Sequence, residues 1–272
     1  MDKINVISIQ ITPKKADSQY NCDKINTILQ NSEHKKYDLI VMPEFFNAGI
    51  NLTNEEFFKY AEKPSESIVL KNMCETAKRY NSYIVCGSIL VNDKGKCLNR
   101  SYLLDRKGNV VSKYDKIHLF NYLGGNEGSY TYPGEQLKVI QTDFGKIGFG
   151  ICFDIRFPEH FLKLTRMGAE IFVLPASWLI AHNATPEFKA QFIKNWQIMN
   201  TTRALDNAAY IISANNTGEL RPYFNGIGHS MIVDFEGKIL AQNDEITESY
   251  IYAELDLKAL RAYRKNFPVQ NF

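Results

Sequence analysis

The 272-residue sequence predicts an α/β fold in which two sheets pack against each other and helices cover the outside. Predicted strands outnumber predicted helices, and tight turns join many of the strands, so a single doubly wound parallel sheet fits poorly. The composition, with 44% hydrophobic and 23% charged residues, is that of an ordinary globular protein. Because no Pro/Gly/Ser-rich linker interrupts the pattern, we expect one domain over residues 1–272.

Strands and helices alternate in the first part of the chain. Residues 4–11 alternate apolar and polar side chains, which indicates a strand with one solvated face. A helix follows around Ile25, and residues 39–42 form a short apolar strand that stops at Pro43. A second helix is expected over residues 67–80. Further strands are expected over residues 83–91, 101–104 and 110–114, separated by turns at residues 92–95 and 106–109.

The second half begins with a stretch that has no hydrophobic period. Residues 118–136 are rich in Gly, Asn and Tyr and predict a long functional loop. A strand over residues 147–151 then ends at Cys152, and Pro158 suits the first turn of a helix that reaches Met167. The remaining predicted elements are strands over residues 171–174, 210–212, 230–233 and 250–252 and a long helix over residues 188–206.

The charge pattern excludes several classes of partner. Net charge is only +2, and the basic residues are dispersed among acids, so no nucleic acid partner is expected. No apolar stretch approaches the ~20 residues that span a bilayer, which excludes a membrane partner. The N-terminus leads directly into a strand without the features of a secretory signal. These observations predict a cytoplasmic protein.

The five cysteines are odd in number and widely spaced, with no CxxC pair. Disulfides are therefore not expected, and most of these thiols should be small buried hydrophobes. No HExxH or comparable ligand spacing is present, and the glycine-rich residues 145–150 do not match a nucleotide-binding GxGxxG motif. We therefore expect an enzyme that needs no metal and no cofactor.

Three chemically complementary residues each follow a predicted strand: Glu44, Lys116 and Cys152. Strand ends are where sites assemble in α/β folds, because the sheet holds the backbone while the loop frees the side chain. A thiol with an ordinary pKa of ~8.5 needs a base to attack an amide. Glu44 is suited to take the thiol proton and return it to the leaving amine, and Lys116 to stabilise the oxyanion. Any one of the three alone would more often be structural.

The segments around these residues resemble the three signature segments of the nitrilase (carbon-nitrogen hydrolase) superfamily. They are residues 41–46 (VMPEFF), 114–120 (YDKIHLF) and 148–159 (GFGICFDIRFPE), in the order of that family. The resemblance continues through residues 174–178, 203–207 and 228–234. It implies a four-layer α-β-β-α sandwich of the nitrilase type in a homodimer or larger homo-oligomer. It also implies hydrolysis of a non-peptide carbon-nitrogen bond through a cysteine acyl-enzyme, with release of ammonia.

The resemblance also implies roles for residues outside the trio. Glu127 would be a second carboxylate near Lys116, and the backbone N–H of Phe153 would help to form the oxyanion hole. Trp178, at the end of another matching segment, is a candidate substrate contact. A solvated loop acid is the structural alternative for Glu127.

Arg156 is similar to the arginine of the omega-amidase-like branch, which points to a small linear amide that carries a carboxylate. A guanidinium at this position is suited to hold a carboxylate through two parallel hydrogen bonds. It is equally suited to pair with Glu159 or Asp154 in a structural role. The sequence leaves these two roles open.

Other functions stay open at this point. The same chemistry serves N-carbamoyl compound amidohydrolases and nitrilases, and Asn195 and Asn200-Thr201-Thr202 depart from residues seen in some relatives. A Cys-His hydrolase with His118 or His229 as base is a further alternative. A catalytically silent binding protein would have no reason to keep Glu44, Lys116 and Cys152 together.

Overall fold

The computed structural model describes residues 1–34, 36–122, 124–244 and 246–271, and two large sheets form its framework. The first sheet has the spatial order β16 (Ser249–Asp256), β1 (Lys3–Gln10), β2 (Leu39–Val41), β3 (Tyr83–Val85), β5 (Lys96–Leu104) and β4 (Ile89–Asp93), with β6 (Val110–Asp115) also paired to β5. The second has the order β15 (Ile239–Gln242), β14 (Met231–Val233), β11 (Tyr210–Asn215), β9 (Ile171–Ala176), β8 (Lys146–Phe149) and β7 (Val139–Gln141).

Parallel strands occupy the centre of both sheets. In the first sheet β2 pairs in parallel with β1 and β3, and in the second β9 pairs in parallel with β8 and β11. The first strand, β1, also pairs antiparallel with β16, so that Lys3 lies opposite Asp256. The first and the last strands of the described residues therefore pair in one sheet.

Side-chain alternation along the first sheet explains the layers. Val6 and Val41 point into the core shared with the second sheet, while Ile7 and Ile40 point into a separate core beneath helices. The helices on that side are α1 (Ser18–Asn31) and α3 (Ile68–Tyr80), and α4 (Pro158–Arg166) and α5 (Pro186–Asn207) cover the second sheet. The described chain also contains α2 (Asn54–Tyr60) and α6 (Leu257–Asn266). The predicted four-layer α-β-β-α sandwich is confirmed.

Capping residues account for the bounds of the long helix α5. The hydroxyl of Thr185 accepts a hydrogen bond from the N–H of Phe188, and Pro186 takes the first helical position, where no N–H is needed. The helix ends where Ala208 adopts a left-handed conformation, with φ of 42°. The predicted helix over residues 188–206 is present, extended slightly at both ends.

The predicted strand over residues 83–91 is wrong as a single element, because the structure divides it into β3 and β4. The break lies at Gly87, whose φ of +39° places it outside the strand conformation. A Cβ atom at this position would lie 1.9 Å from the carbonyl oxygen of Pro43. The close approach of these two backbones holds the segment that leads into Glu44.

A third sheet was not expected from the sequence. It consists of β10 (Leu179–Ala181), β13 (Phe224–Ile227) and β12 (Thr217–Arg221), all antiparallel. Within the expected loop over residues 118–136, Leu123 lies outside the described residues, and the described part contains one short 3-10 helix, Glu127–Ser129. No described helix is both long and apolar enough to cross a membrane.

Replacing Gly87 with alanine should destabilise the protein because the new methyl group would collide with the backbone of Pro43. We expect a loss of roughly 2–4 kcal/mol in the free energy of unfolding, from overpacking together with backbone strain. Gly95→Ala is the matched control, since Gly95 also has a positive φ of +82° but nothing lies within 4 Å of the point that its Cβ atom would occupy. Denaturant unfolding of both variants measures the difference, and equal losses would contradict the steric argument.

Candidate active site

A buried ion cluster centred on Lys116 forms the core of the site. Its Nζ lies 2.9 Å from Oε1 of Glu44 and 2.7 Å from Oε2 of Glu127. All three side chains are at most 4% exposed. Glu44 follows β2, Lys116 follows β6, and Glu127 begins the short 3-10 helix, so that one ammonium group joins three separate segments.

Asn99 on β5 supports the same cluster and was missed by sequence reasoning. Its Nδ2 donates to Oε1 of Glu44 at 2.8 Å and to Oε1 of Glu127 at 2.9 Å. Its backbone carbonyl accepts from the N–H of Lys116 at 2.9 Å. The available signal was an asparagine next to Arg100 and Ser101 in the middle of a strand, between the apolar pairs Cys97-Leu98 and Leu103-Leu104.

Cys152 lies three residues after the end of β8, at the first residue of a 3-10 helix, Cys152–Arg156. Its φ of 47° is in the left-handed region, which non-glycine residues rarely adopt. Such strained conformations persist where the surrounding structure holds them, often at functional sites. The thiol lines one cavity together with Glu44, Lys116 and Glu127. The structure therefore brings all four predicted catalytic residues together.

The electrostatics of the cluster favour a resting thiol beside a base. Burial and the nearby charge of Glu44 raise the pKa of the Cys152 thiol well above its usual value. Burial also raises the pKa of Glu44, against the opposing effect of Lys116. Burial alone would lower the pKa of Lys116, but the two carboxylates outweigh it and raise that pKa. Lys116 is therefore charged, and Cys152 and Glu44 line the same cavity.

The backbone after Cys152 offers an N–H donor that the 3-10 helix does not use. The first hydrogen bond of the 3-10 helix runs from the N–H of Asp154 to the carbonyl of Ile151, at 3.0 Å. The N–H of Phe153 precedes it and so has no partner within the helix. This is the group that the sequence resemblance assigned to an oxyanion hole.

Asp154 ties the segment of Cys152 to the segment of Lys116. Its Oδ2 accepts from the N–H of Ile151 at 2.8 Å and from the hydroxyl of Tyr114 at 2.7 Å. Its Oδ1 accepts from the N–H of His118 at 3.0 Å and contacts Nδ1 of the same residue at 2.7 Å. The side chain is fully buried. Sequence reasoning considered Asp154 only as a partner for Arg156.

The three predicted substrate contacts lie beside the cavity, not among its described lining residues. The side chain of Phe153 packs against Phe120 and Phe157, with ring centroids 5.2 and 5.6 Å away. Arg156 is exposed, and its guanidinium lies 5.4 Å from the ring centre of Trp178. Their chain neighbours Cys152 and Ser177 do line the cavity.

The histidines considered as alternative bases lie elsewhere. His118 stacks on Phe157 at 3.6 Å and is bound to Asp154, while the Nδ1 of His229 contacts Gln242 at 2.8 Å. Neither is among the described residues that line the cavity with Cys152. His118, Asp154 and His160 also bring potential metal-ligand atoms within 4.8 Å of one another. Both oxygens of Asp154 are already engaged in hydrogen bonds there.

The cavity itself is small, with a volume of about 230 Å³. Pockets for drug-sized ligands measure ~300–1,000 Å³, so this one suits a compact molecule. Its lining also includes Asn54, Tyr130 and Arg221, which sequence reasoning did not select. Asn54 and Tyr130 lie in or next to helical segments with no motif, and Arg221 lies on the unexpected third sheet.

Comparison with known proteins gives a consistent assignment. The sequence profile of the carbon-nitrogen hydrolase family matches residues 5–265. An omega-amidase of Saccharomyces cerevisiae is 30% identical over 98% of this chain and 92% of its own length. The 2-oxoglutaramate amidase of Bacillus subtilis is 30% identical over 87% of this chain and 85% of its own length.

A solved structure agrees with the sequence comparisons. The crystal structure of Nit3 from Saccharomyces cerevisiae, described as a member of branch 10 of the nitrilase superfamily, superposes with a TM-score of 0.84. The two chains are 30% identical, and the match covers 98% of this chain and 95% of that one. The similarity therefore extends over the whole sandwich.

Replacing Asp154 with asparagine should lower both the stability of the fold and the rate of turnover. The NH₂ group of the new amide would face N–H or O–H donors that bind a carboxylate oxygen in the wild type. We expect a loss of about 1–3 kcal/mol in stability at pH 7 and a fall in kcat of at least ~10-fold. Burial alone would raise the pKa of Asp154, but the hydrogen bonds from His118 and its other donors hold it below the usual value. This stabilisation is therefore complete above the unfolded pKa of about 3.9 and is lost as pH falls through the folded pKa.

Denaturant unfolding between pH 3 and 7 and steady-state kinetics measure these effects. Asp143→Asn is the control, since Asp143 is 47% exposed and pairs with Arg106 at the surface. Wild-type stability and turnover in Asp154→Asn would show that the link between the two segments is dispensable.

Proposed function

The chain belongs to the carbon-nitrogen hydrolase family, and we propose that it hydrolyses a small linear amide carrying a carboxylate, with release of ammonia. The observation that carries this proposal is the buried cluster of Glu44, Lys116 and Glu127 beside Cys152 in one small cavity. The names of the omega-amidase and 2-oxoglutaramate amidase relatives support an amidase.

The first step of the proposed reaction is attack of the Cys152 sulfur on the amide carbonyl. Glu44 takes the thiol proton as the carbon–sulfur bond forms, since the pKa of Cys152 is too high for a standing thiolate. Negative charge moves to the carbonyl oxygen. Lys116 and the N–H of Phe153 stabilise it, and Glu127 helps to hold the ammonium group in place.

The second step breaks the carbon–nitrogen bond. The tetrahedral intermediate collapses to a thioester, and Glu44 gives its proton to the nitrogen, which leaves as ammonia.

The third step is hydrolysis of the thioester. Water attacks the thioester carbonyl and loses a proton to Glu44. Collapse of this second intermediate releases the carboxylic acid, and the proton returns from Glu44 to the Cys152 sulfur, which restores the enzyme.

Phe153, Arg156 and Trp178 belong to this proposal as substrate contacts. The Arg156 guanidinium over Trp178 is an exposed cation four residues beyond the nucleophile. An N-carbamoyl compound or a nitrile in place of the amide is the alternative substrate within the family. A binding protein without catalytic activity is the alternative from a different functional class. The presence of Glu44, Lys116 and Cys152 together argues against it.

We also propose that residues 1–272 act as one domain in a cytoplasmic homodimer or larger homo-oligomer. All five cysteines are free, as suits a reducing compartment. Helix α5 exposes Phe188, Ile198 and Leu205, which are large apolar side chains suited to contact with a second copy.

Ammonia release from glutaramate, a five-carbon dicarboxylate monoamide, tests the proposed function directly. We expect turnover by the wild type and none by Cys152→Ala, because the covalent route requires the thiol. Cys74→Ala, which removes a half-buried thiol on α3, should retain turnover. A screen that includes N-carbamoyl amino acids and small nitriles decides the substrate class. Turnover by Cys152→Ala within a few-fold of wild type would exclude the mechanism.

Glu44→Gln and Lys116→Ala should each lower kcat by more than ~100-fold, the scale expected when a positioned base or an oxyanion stabiliser is lost. The double variant should lose much less than the sum of the two effects, because the residues act together. The exposed pair Lys63 and Glu66 supplies matched controls as Lys63→Ala and Glu66→Gln. Near-normal kcat in either site variant, measured with intact folding, would place that residue outside the chemistry.

A further inference from the structure

Arg221 lines the same cavity as Cys152, although no sequence motif marks it. It ends β12, and a bulge interrupts the pairing of β12 with β13 between Glu219 and Arg221. On a regular strand these two residues would face the same side. Instead Glu219 is exposed and Arg221 is half-buried at the cavity. The bulge thus turns the arginine towards the site, a use of bulges that is common near active sites.

Among the described residues, the guanidinium of Arg221 has no partner of opposite charge. Within the described part of the chain it makes no ion pair and no hydrogen bond, and it stacks on the ring of Phe224, whose centre lies 4.7 Å from Cζ. The buried Arg100, in contrast, pairs with Asp115 and Asp93. Stacking on a ring leaves the planar N–H donors of an arginine available. Arg221 therefore presents unused donors to the cavity.

The charges around the cavity call for a second cation if the substrate is an anion. Lys116 lies between Glu44 and Glu127, so these three groups sum to a charge of −1 when both carboxylates are ionised. They would repel a substrate carboxylate. Arg221 is the cation besides Lys116 among the described lining residues, and it restores neutrality there. The charge of Arg221 also acts on Tyr130. Burial raises the pKa of Tyr130, and the positive charge of Arg221 partly offsets this increase.

We propose that Arg221 binds the carboxylate of the substrate and thereby sets the preference for acidic over neutral amides. This inference rests on the proposed function and names the residue that recognises the carboxylate of the substrate. The carboxylate docks on the N–H edge of Arg221 while the amide carbon lies at Cys152. Arg156, which is exposed and outside the cavity lining, has a lesser part in this selection.

The experiment compares two amides of equal chain length, glutaramate and pentanamide, which differ by a carboxylate in place of a methyl group. Arg221→Gln should lower kcat/KM for glutaramate by roughly 10- to 100-fold, chiefly through KM, and change that for pentanamide by less than ~3-fold. Arg221→Lys should show a smaller loss than Arg221→Gln, because lysine keeps the positive charge but cannot donate two parallel hydrogen bonds to the carboxylate. Arg79→Gln, at an exposed position on α3, is the matched control and should behave as wild type.

A binding measurement separates recognition from chemistry. In a Cys152→Ala background, calorimetry should show that adding Arg221→Gln weakens glutaramate binding by a similar factor. Thermal unfolding of each variant verifies the fold. If Arg221→Gln does not fold, Arg221→Lys carries the test, with a smaller loss confined to glutaramate.

The outcomes distinguish this inference from the proposed function. A wild type that prefers pentanamide would overturn the proposed substrate class and the role of Arg221 with it. A wild type that prefers glutaramate, with equal losses for both amides in Arg221→Gln, would overturn the role of Arg221 alone. The role of Arg221 is likewise overturned if Arg156→Gln shows the selective loss and Arg221→Gln does not.

Discussion

The buried ion cluster around Lys116 is the constraint on which the rest of the structure depends. Removing one charge from such a cluster leaves the others buried and uncompensated, which typically costs ~3–5 kcal/mol. Lys116, Glu44 and Glu127 must therefore be held together, although they come from three separate segments of the chain. Asn99 bridges the two carboxylates, and the main chain of β5 fixes the start of the Lys116 loop. The first sheet is the platform that makes this arrangement possible.

The second sheet brings the nucleophile to that platform. Cys152 follows β8, and the turn that carries it is held by Asp154, which also binds Tyr114 and His118 on the other side. Asp154 thus connects the two sheets at the point where the reaction would occur. The pKa values of the Cys152 thiol and the Glu44 carboxyl are both raised. Proton transfer between the two groups depends on their distance, so both segments must be held firmly in place.

Sequence reasoning identified the parts of the site that lie in recognisable segments. Glu44, Lys116 and Cys152 each follow a strand whose apolar pattern is visible, and Glu127 came with the family resemblance. Asn99 was missed because its role depends on a contact across the sheet, which no local pattern encodes. Arg221 was missed because it belongs to a small sheet of short strands, and because a bulge reverses the side that it faces. The interruption at Gly87 likewise depends on the distant backbone of Pro43.

The pairing of β1 with β16 has a consequence for the order of assembly. Lys3 and Asp256 are neighbours in the first sheet, so the β16 edge of this sheet is incomplete until residue 256 has been synthesised. Contacts between such distant residues carry a large loop-closure entropy and slow folding. During synthesis on the ribosome, β2 can pair with one edge of β1, but the other edge stays unpaired until then, and exposed strand edges promote aggregation. We expect the nascent chain to be prone to aggregation until β16 emerges.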